Sequence, residues 1–155
     1  VAAQPTTDVE LLPSAGVLLA LAGQEATRRL RDVLADHDLT PRQLRLLALL
    51  HRQGATGQRE LGRTMGVDPS VLVAMLNPLE SSRLVTRRRD PADRRRHVVT
   101  LTAAGERRLA AAERSQAEVE DALFSPLDDR ARGQLQALLL ALRGGFADAP
   151  GCDAD

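Results

Sequence analysis

The sequence predicts a mainly α fold interrupted by one small β-hairpin, and three observations carry that reading. Leu and Ala dominate the apolar residues, a composition that favours helix over sheet. Apolar residues recur at helical spacing through most of the chain. Strand formers concentrate in a single stretch, where the β-type runs Leu84–Thr86 and Val98–Leu101 flank the turn chemistry of Asp90-Pro91 and Asp93. That stretch is also strongly basic. Seven arginines between 83 and 96 against two aspartates give it a charge of +5 in a 155-residue chain of net charge zero, leaving −5 for the remainder. Segregation of this size asks for an anionic partner.

A chain of this length fits one domain, spanning about 13–146, and buries a core without staples. All 21 basic residues are arginine, which suits fork-like phosphate contacts, although GC-rich coding explains the bias equally well. The lone Cys152 excludes a disulfide framework, and an incidental cysteine in a small, acidic tail (147–155) expected to be disordered is the simpler reading against a bridge between chains or a thiol sensor. The longest apolar run, Ala15–Ala22, is too short to span a membrane and lacks the cationic start of a signal peptide. A cytoplasmic protein with no membrane partner is expected.

The elements follow in order. Residues 1–12 read as an unstructured lead. Pro13-Ser14 opens a helix over 14–36 with apolar residues at Val17, Leu18, Leu21, Ala22, Ala26, Leu30, Val33 and Leu34. Its first turns are apolar nearly all round, which suggests burial against a second chain, with core packing in a monomer as the competing reading. Thr40-Pro41-Arg42-Gln43 forms a capping box with proline at the first helical position, and Leu44, Leu47, Ala48 and Leu50 bury one side of a helix ending near Gln53-Gly54. Thr56 is expected to cap a shorter helix holding Leu61 and Met65, which Gly66 stops. Asp68-Pro69 then caps and starts the next helix, with Leu72, Met75, Leu76 and Leu79 on its buried face. Pro78 lies in mid-helix, crowding the carbonyl of Ala74 and pushing Asn77 from helical geometry, so a kink or break is expected near 74–78, or a restart at Pro78.

Two helices joined by a short turn at a glycine describe a helix-turn-helix, here followed directly by the arginine hairpin. Alone, the helix pair is as consistent with an ordinary helical hairpin. The hairpin downstream favours a winged unit over about 41–101, with a helix in a major groove and guanidinium groups at the backbone or minor groove. Beyond it, Thr102 caps a helix over about 103–124, with a stripe at Leu109, Ala112, Gln116, Val119 and Leu123, ended by Ser125-Pro126. A last helix over 128–143 starts at Asp128-Asp129 and stops at Gly144-Gly145. With 14–36 these two make a helical dimerisation platform built from both termini.

From Leu61 to Gly105 the sequence resembles the MarR family of winged helix-turn-helix regulators. The resemblance rests on Leu79-Glu80, Leu84-Val85, Arg87-Arg88, Asp90-Pro91-Ala92-Asp93-Arg94-Arg95 and Leu101-Thr102-Ala103-Ala104-Gly105. It implies a homodimer on pseudo-palindromic double-stranded DNA, acting as a transcriptional regulator often released by a small ligand or an oxidant. Matched by position, Ser70 falls on a DNA-facing site of the recognition helix, and Asp93 and Arg95 fall on the wing pair. Asp93 is suited to hold an arginine fork while Arg94 or Arg95 reaches phosphate or the minor groove. The recognition helix departs from the family pattern: Val71, Val73 and Ala74 stand where relatives often carry threonines and an arginine, leaving Ser70, Asn77, Arg63 and Arg83 as the polar groups nearby. Valines meeting thymine methyls, groove shape, and the wing arginines Arg87, Arg88, Arg89, Arg94, Arg95 and Arg96 then carry recognition.

The expected function is a sequence-specific DNA-binding regulator, a repressor insofar as a dimer on a promoter occludes it. The apolar recognition face and Pro78 keep open a helical dimer that binds a protein or ligand with weakened DNA readout. Catalysis finds no support: His37, His51 and His97 are scattered without metal-ligand spacing, and no cofactor or metal is implied. A ligand pocket is expected where the platform meets the reading unit, with unknown lining residues. Having no cysteine before 152, the chain does not fit the peroxide-sensing branch of the family.

Overall fold

A computed structural model describes residues 14–90, 93 and 95–147. The expected lead, the tail with Cys152, and Pro91, Ala92 and Arg94 of the basic stretch lie outside the described residues. The elements run α1 (Ala15–Ala35), α2 (Pro41–Gln53), β1 (Thr56–Gly57), α3 (Gln58–Met65), α4 (Pro69–Ser81), β2 (Val85–Arg89), β3 (His97–Leu101), α5 (Ala103–Leu123) and α6 (Asp129–Ala147).

Local chemistry sets most boundaries. Ser14 caps α1 through the Val17 N–H, and the capping box of Thr40 and Gln43 is complete. Thr102 caps α5 by accepting from Gly105 N. Gly66 ends α3 in the left-handed conformation at φ 67°, and Gly54 follows α2 at φ 73°. The Asp128 side chain accepts from Ala131 N at 2.7 Å, opening α6.

α2 is the centre of the core. It buries Leu44, Leu46, Leu47, Leu49 and Leu50, more than the one side that periodicity indicated, because α1, α4, α5 and the sheet all pack on it. Its polar Gln43 is buried too, with the side-chain carbonyl accepting from Thr40 N at 2.9 Å and the amide donating to Met75 O at 3.4 Å. In contrast, α1 buries only Leu34, and α6 has no buried residue over 129–145.

The structure corrects five expectations. The ribbon is a three-stranded antiparallel sheet in the order β1-β3-β2, with Thr56 opposite Val99 and Val85 opposite Leu101. Thr56 therefore does not cap α3: its backbone belongs to the sheet, its hydroxyl donates to Gly54 O at 3.0 Å, and Gly57 stands at the helix start without a side-chain cap. Asp68 occupies the cap position of α4, but its side chain makes no capping bond. α4 continues through Pro78 to Ser81 without the expected break. Proline removes the bond to the Ala74 carbonyl, and Ala74 lies on the exposed face of the helix, where an unpaired carbonyl costs least. The next carbonyl, Met75 O, receives the Gln43 amide, while Leu72, Met75, Leu76 and Leu79 anchor both halves of the helix in the core. Finally, α6 passes through Gly144 and Gly145 to Ala147, neither glycine taking a positive φ.

Polar ties join α5 to the rest. Arg108 donates to the His37 carbonyl, His37 Nε2 lies 3.0 Å from Ser115 Oγ, and His51 Nδ1 lies 2.6 Å from Glu106 Oε2. Among the described residues no helix is long and apolar enough to cross a membrane, and no group of three or more His, Cys, Asp or Glu is placed to hold a metal ion.

Candidate nucleic-acid interface

α3, the turn at Gly66 and α4 form the helix-turn-helix. Gly62 lies where α3 meets α4, and a Cβ there would make an ordinary contact with Leu72 Cδ2 at 3.4 Å. With Leu72, Met75, Leu76 and Leu79 inward, α4 turns Ser70, Ala74 and Asn77 outward at i, i+4 and i+7, on one stripe. Val71 is exposed beside them, whereas Val73 is half-buried on the flank. The outward face thus has the length of a groove-reading segment and few polar groups.

β2 runs from buried to exposed: Val85 is buried, Thr86 and Arg87 are half-buried, and Arg88 and Arg89 are exposed, while Val99 of β3 enters the core. Arg87 behaves differently from its neighbours. Its Nε donates to Glu80 Oε2 at 2.8 Å, and its Nη2 donates to that same oxygen and to Asn77 Oδ1 at 2.9 Å. An arginine expected at phosphate is therefore a strut between β2 and α4, and it holds the orientation of Asn77 on the reading face. It also keeps the Glu80 carboxyl below its ordinary value, chiefly through the hydrogen bond from its guanidinium.

At the tip, the Asp93 carboxylate accepts from Arg95 N at 3.0 Å and pairs with Arg96 Nε at 3.1 Å. The fork held by Asp93 is thus that of Arg96, which leaves the Arg95 side chain exposed. Arg83 sits in the α4–β2 turn at φ 58°, exposed, with its carbonyl accepting from Thr102 Oγ1 at 2.7 Å. Arg63 projects from α3 into a cleft of about 640 Å³ that Arg95, Arg96 and His97 close from the wing side. Three arginines outside the expected set, Arg42, Arg45 and Arg59, join this surface. α3 itself presents Arg59, and the packing of α2 beside the helix-turn-helix brings Arg42 and Arg45 there.

The Glu80–Arg87 tie has a pH signature. A carboxylate whose folded pKa is depressed contributes stability above its unfolded value of 4.5, and loses it as pH falls through the depressed folded value. With Arg87 and Glu80 side chains 21% and 37% exposed, solvent screening limits the contribution to about 0.5–1 kcal/mol. Glu80→Gln is expected to lower the melting temperature at pH 7 and to match the wild-type protein once pH falls well below 4.5, as read by thermal denaturation across pH.

Six helices, a three-stranded wing sheet and an arginine ribbon beside an exposed helix define a winged helix-turn-helix DNA-binding protein. The model of the MarR family matches residues 39–97. The chain is 29% identical over 120 residues to a putative transcriptional regulatory protein for the hcr operon of Thauera aromatica, covering 77% of this chain and 72% of that one. To the HTH-type transcriptional repressor NicR of Pseudomonas putida it is 31% identical over 99 residues, covering 64% of this chain and 63% of NicR. Its fold matches the transcriptional repressor CouR, solved bound to a 23-mer DNA duplex, with a TM-score of 0.74 and 33% identity over 84% of this chain and 92% of CouR. The chain belongs to the MarR family, whose members are transcriptional regulators and not enzymes.

Proposed function

We propose that the protein is a homodimeric repressor that seats two α4 helices in successive major grooves of a pseudo-palindromic operator, about one turn or roughly 34 Å apart. In this reading Ser70, Val71, Val73, Ala74 and Asn77 face the bases. Arg63, Arg83, Arg88, Arg89, Arg94, Arg95 and Arg96 meet the backbone or minor groove, and Arg87 and Asp93 position their neighbours. α1, α5 and α6 form the dimer platform, and residues 41–101 the reading unit. A small ligand acting where platform and reading unit meet, across ties such as His51–Glu106, would release the DNA by changing the half-site spacing.

One observation carries the dimer. Among the described residues, apart from Val71, the large apolar side chains left exposed belong to α1 (Val17, Leu18, Leu19, Leu21) or α6 (Leu138, Leu139, Leu140, Leu142). Two terminal helices bearing unpartnered leucines suit a two-fold interface, in which one patch serves both subunits. Repression is supported by NicR and CouR, both described as repressors.

Fluorescence anisotropy on DNA from the gene's own promoter region tests the reading. Two protomers per site are expected, with a two-fold symmetric footprint and a log–log salt slope near −7 if about eight phosphates are neutralised. Arg95→Ala should make that slope shallower by about 2, one phosphate from each subunit. One protomer per site, or affinity indifferent to salt, would sink the proposal.

A further inference from the structure

A second cleft, of about 1040 Å³, lies between α2, α3 and the start of α4, and Arg42, Arg45, Arg59 and Arg63 line it. Arg59 and Arg63, with Gln58 and Pro69, also line the cleft under the wing, so the two depressions adjoin through shared walls and together make an arginine-lined trough. Along it six arginines face two carboxylates, Asp68 and Glu60. None of Arg42, Arg45, Arg59 and Arg63 forms an ion pair with a described carboxylate, unlike Arg28 and Arg29, which share Glu25 at 2.8 and 2.6 Å. Their spacing adds to the cost. Arg42 and Arg45 are three residues apart on α2, and Arg59 and Arg63 four apart on α3, where like charges repel by about 0.2–0.5 kcal/mol per pair. A helical surface that stacks like charges at neighbour spacing without counterions is relieved by a polyanion running across it.

We infer that the phosphate backbone of one DNA strand follows this trough from Arg42 and Arg45 on α2, past Arg59 and Arg63 on α3, to Arg95 and Arg96 on the wing. α2 thereby becomes a phosphate-binding element, and the protected DNA extends beyond the segment that α4 and the wing span. This rests on the DNA-binding reading but not on the identity of the operator. Phosphate contacts fix register without reading sequence, so removing them weakens cognate and random DNA alike.

The test is the salt dependence of Arg42→Ala/Arg45→Ala on a short random-sequence duplex and on promoter DNA. Because the variant takes two guanidinium groups from each of two subunits, the log–log slope is expected to become shallower by about 3 to 4, both DNAs weakening in parallel. Hydroxyl-radical protection should shrink at the outer edges of the footprint. Both side chains are exposed, so the melting temperature serves as the control for folding. An unchanged slope in a folded variant overturns the trough. Weakening on promoter DNA alone also overturns it, because that pattern belongs to base reading. A wild-type protein that binds random DNA but forms no symmetric operator complex defeats the homodimeric repressor instead, and the slope on random DNA still decides the trough.

Discussion

Gly105→Ala is expected to lower the stability of the folded protein by about 2 kcal/mol, although alanine is the better helix former. Gly105 lies in the first turn of α5, buried against the entrance to β2. A Cβ there would overlap the Leu84 carbonyl oxygen, stand 2.5 Å from Leu101 Cδ1 and 3.1 Å from Leu84 C. The obstruction is backbone that cannot swing aside, because Leu84 O already accepts from Thr102 N at 3.0 Å and from Thr102 Oγ1 at 3.1 Å. Relief requires α5 to separate from the wing. Overpacking of this kind costs about 3 kcal/mol, against about 1 kcal/mol gained in helix propensity. The melting temperature should fall by roughly 4–8 °C at fixed protein concentration, and wing-dependent DNA affinity with it. A Gly105→Ala protein as stable as the wild type would show that the α5–wing junction yields more readily than its hydrogen bonds imply.

What the sequence made legible was local. The capping box at Thr40 and Gln43, the hydroxyl cap at Thr102 and the left-handed stop at Gly66 are each written within four residues, so chain order alone reveals them. The wing was legible because strand-forming residues, turn chemistry and charge coincide there. The misses are tertiary. β1 is two residues long and exists only because β3 offers it a partner some forty positions away, which no periodicity can signal. Pro78 and Gly144-Gly145 are helix breakers by propensity, and propensities of about 1 kcal/mol for glycine and 3 kcal/mol for proline yield to burial and to a side chain such as Gln43. At the interface, sequence placed Arg87 correctly on the wing but could not see that Glu80 and Asn77 lie across from it. It also passed over Arg42, Arg45 and Arg59, whose signal was the absence of helical counterions.

Leu138→Glu/Leu142→Glu should convert the protein to a monomer and lower its operator affinity about 10²–10⁴-fold. The two leucines share one face of α6 at i and i+4 and are 64% and 48% exposed in the protomer. Over residues 129–145 α6 has no buried side chain, and neither leucine belongs to the protomer core around α2, so the substitution removes nothing from that core. On an ordinary surface such a change shifts stability by only about 0.5 kcal/mol. A large effect therefore requires a partner on that face, and glutamates opposed across a two-fold axis would confront their own copies. The drop in DNA binding follows from valency: in the proposed dimer, which holds both half-sites, the second half-site is engaged at an effective concentration in the millimolar range, and a monomer forfeits that factor while its α4 and wing stay intact. Sedimentation should show half the wild-type mass, and the salt slope on promoter DNA should fall to about half of −7 as the phosphates of one half-site drop out. A variant that still sediments as a dimer would move the interface to α1 alone. A monomer that binds the operator undiminished would remove the reason for a pseudo-palindromic site.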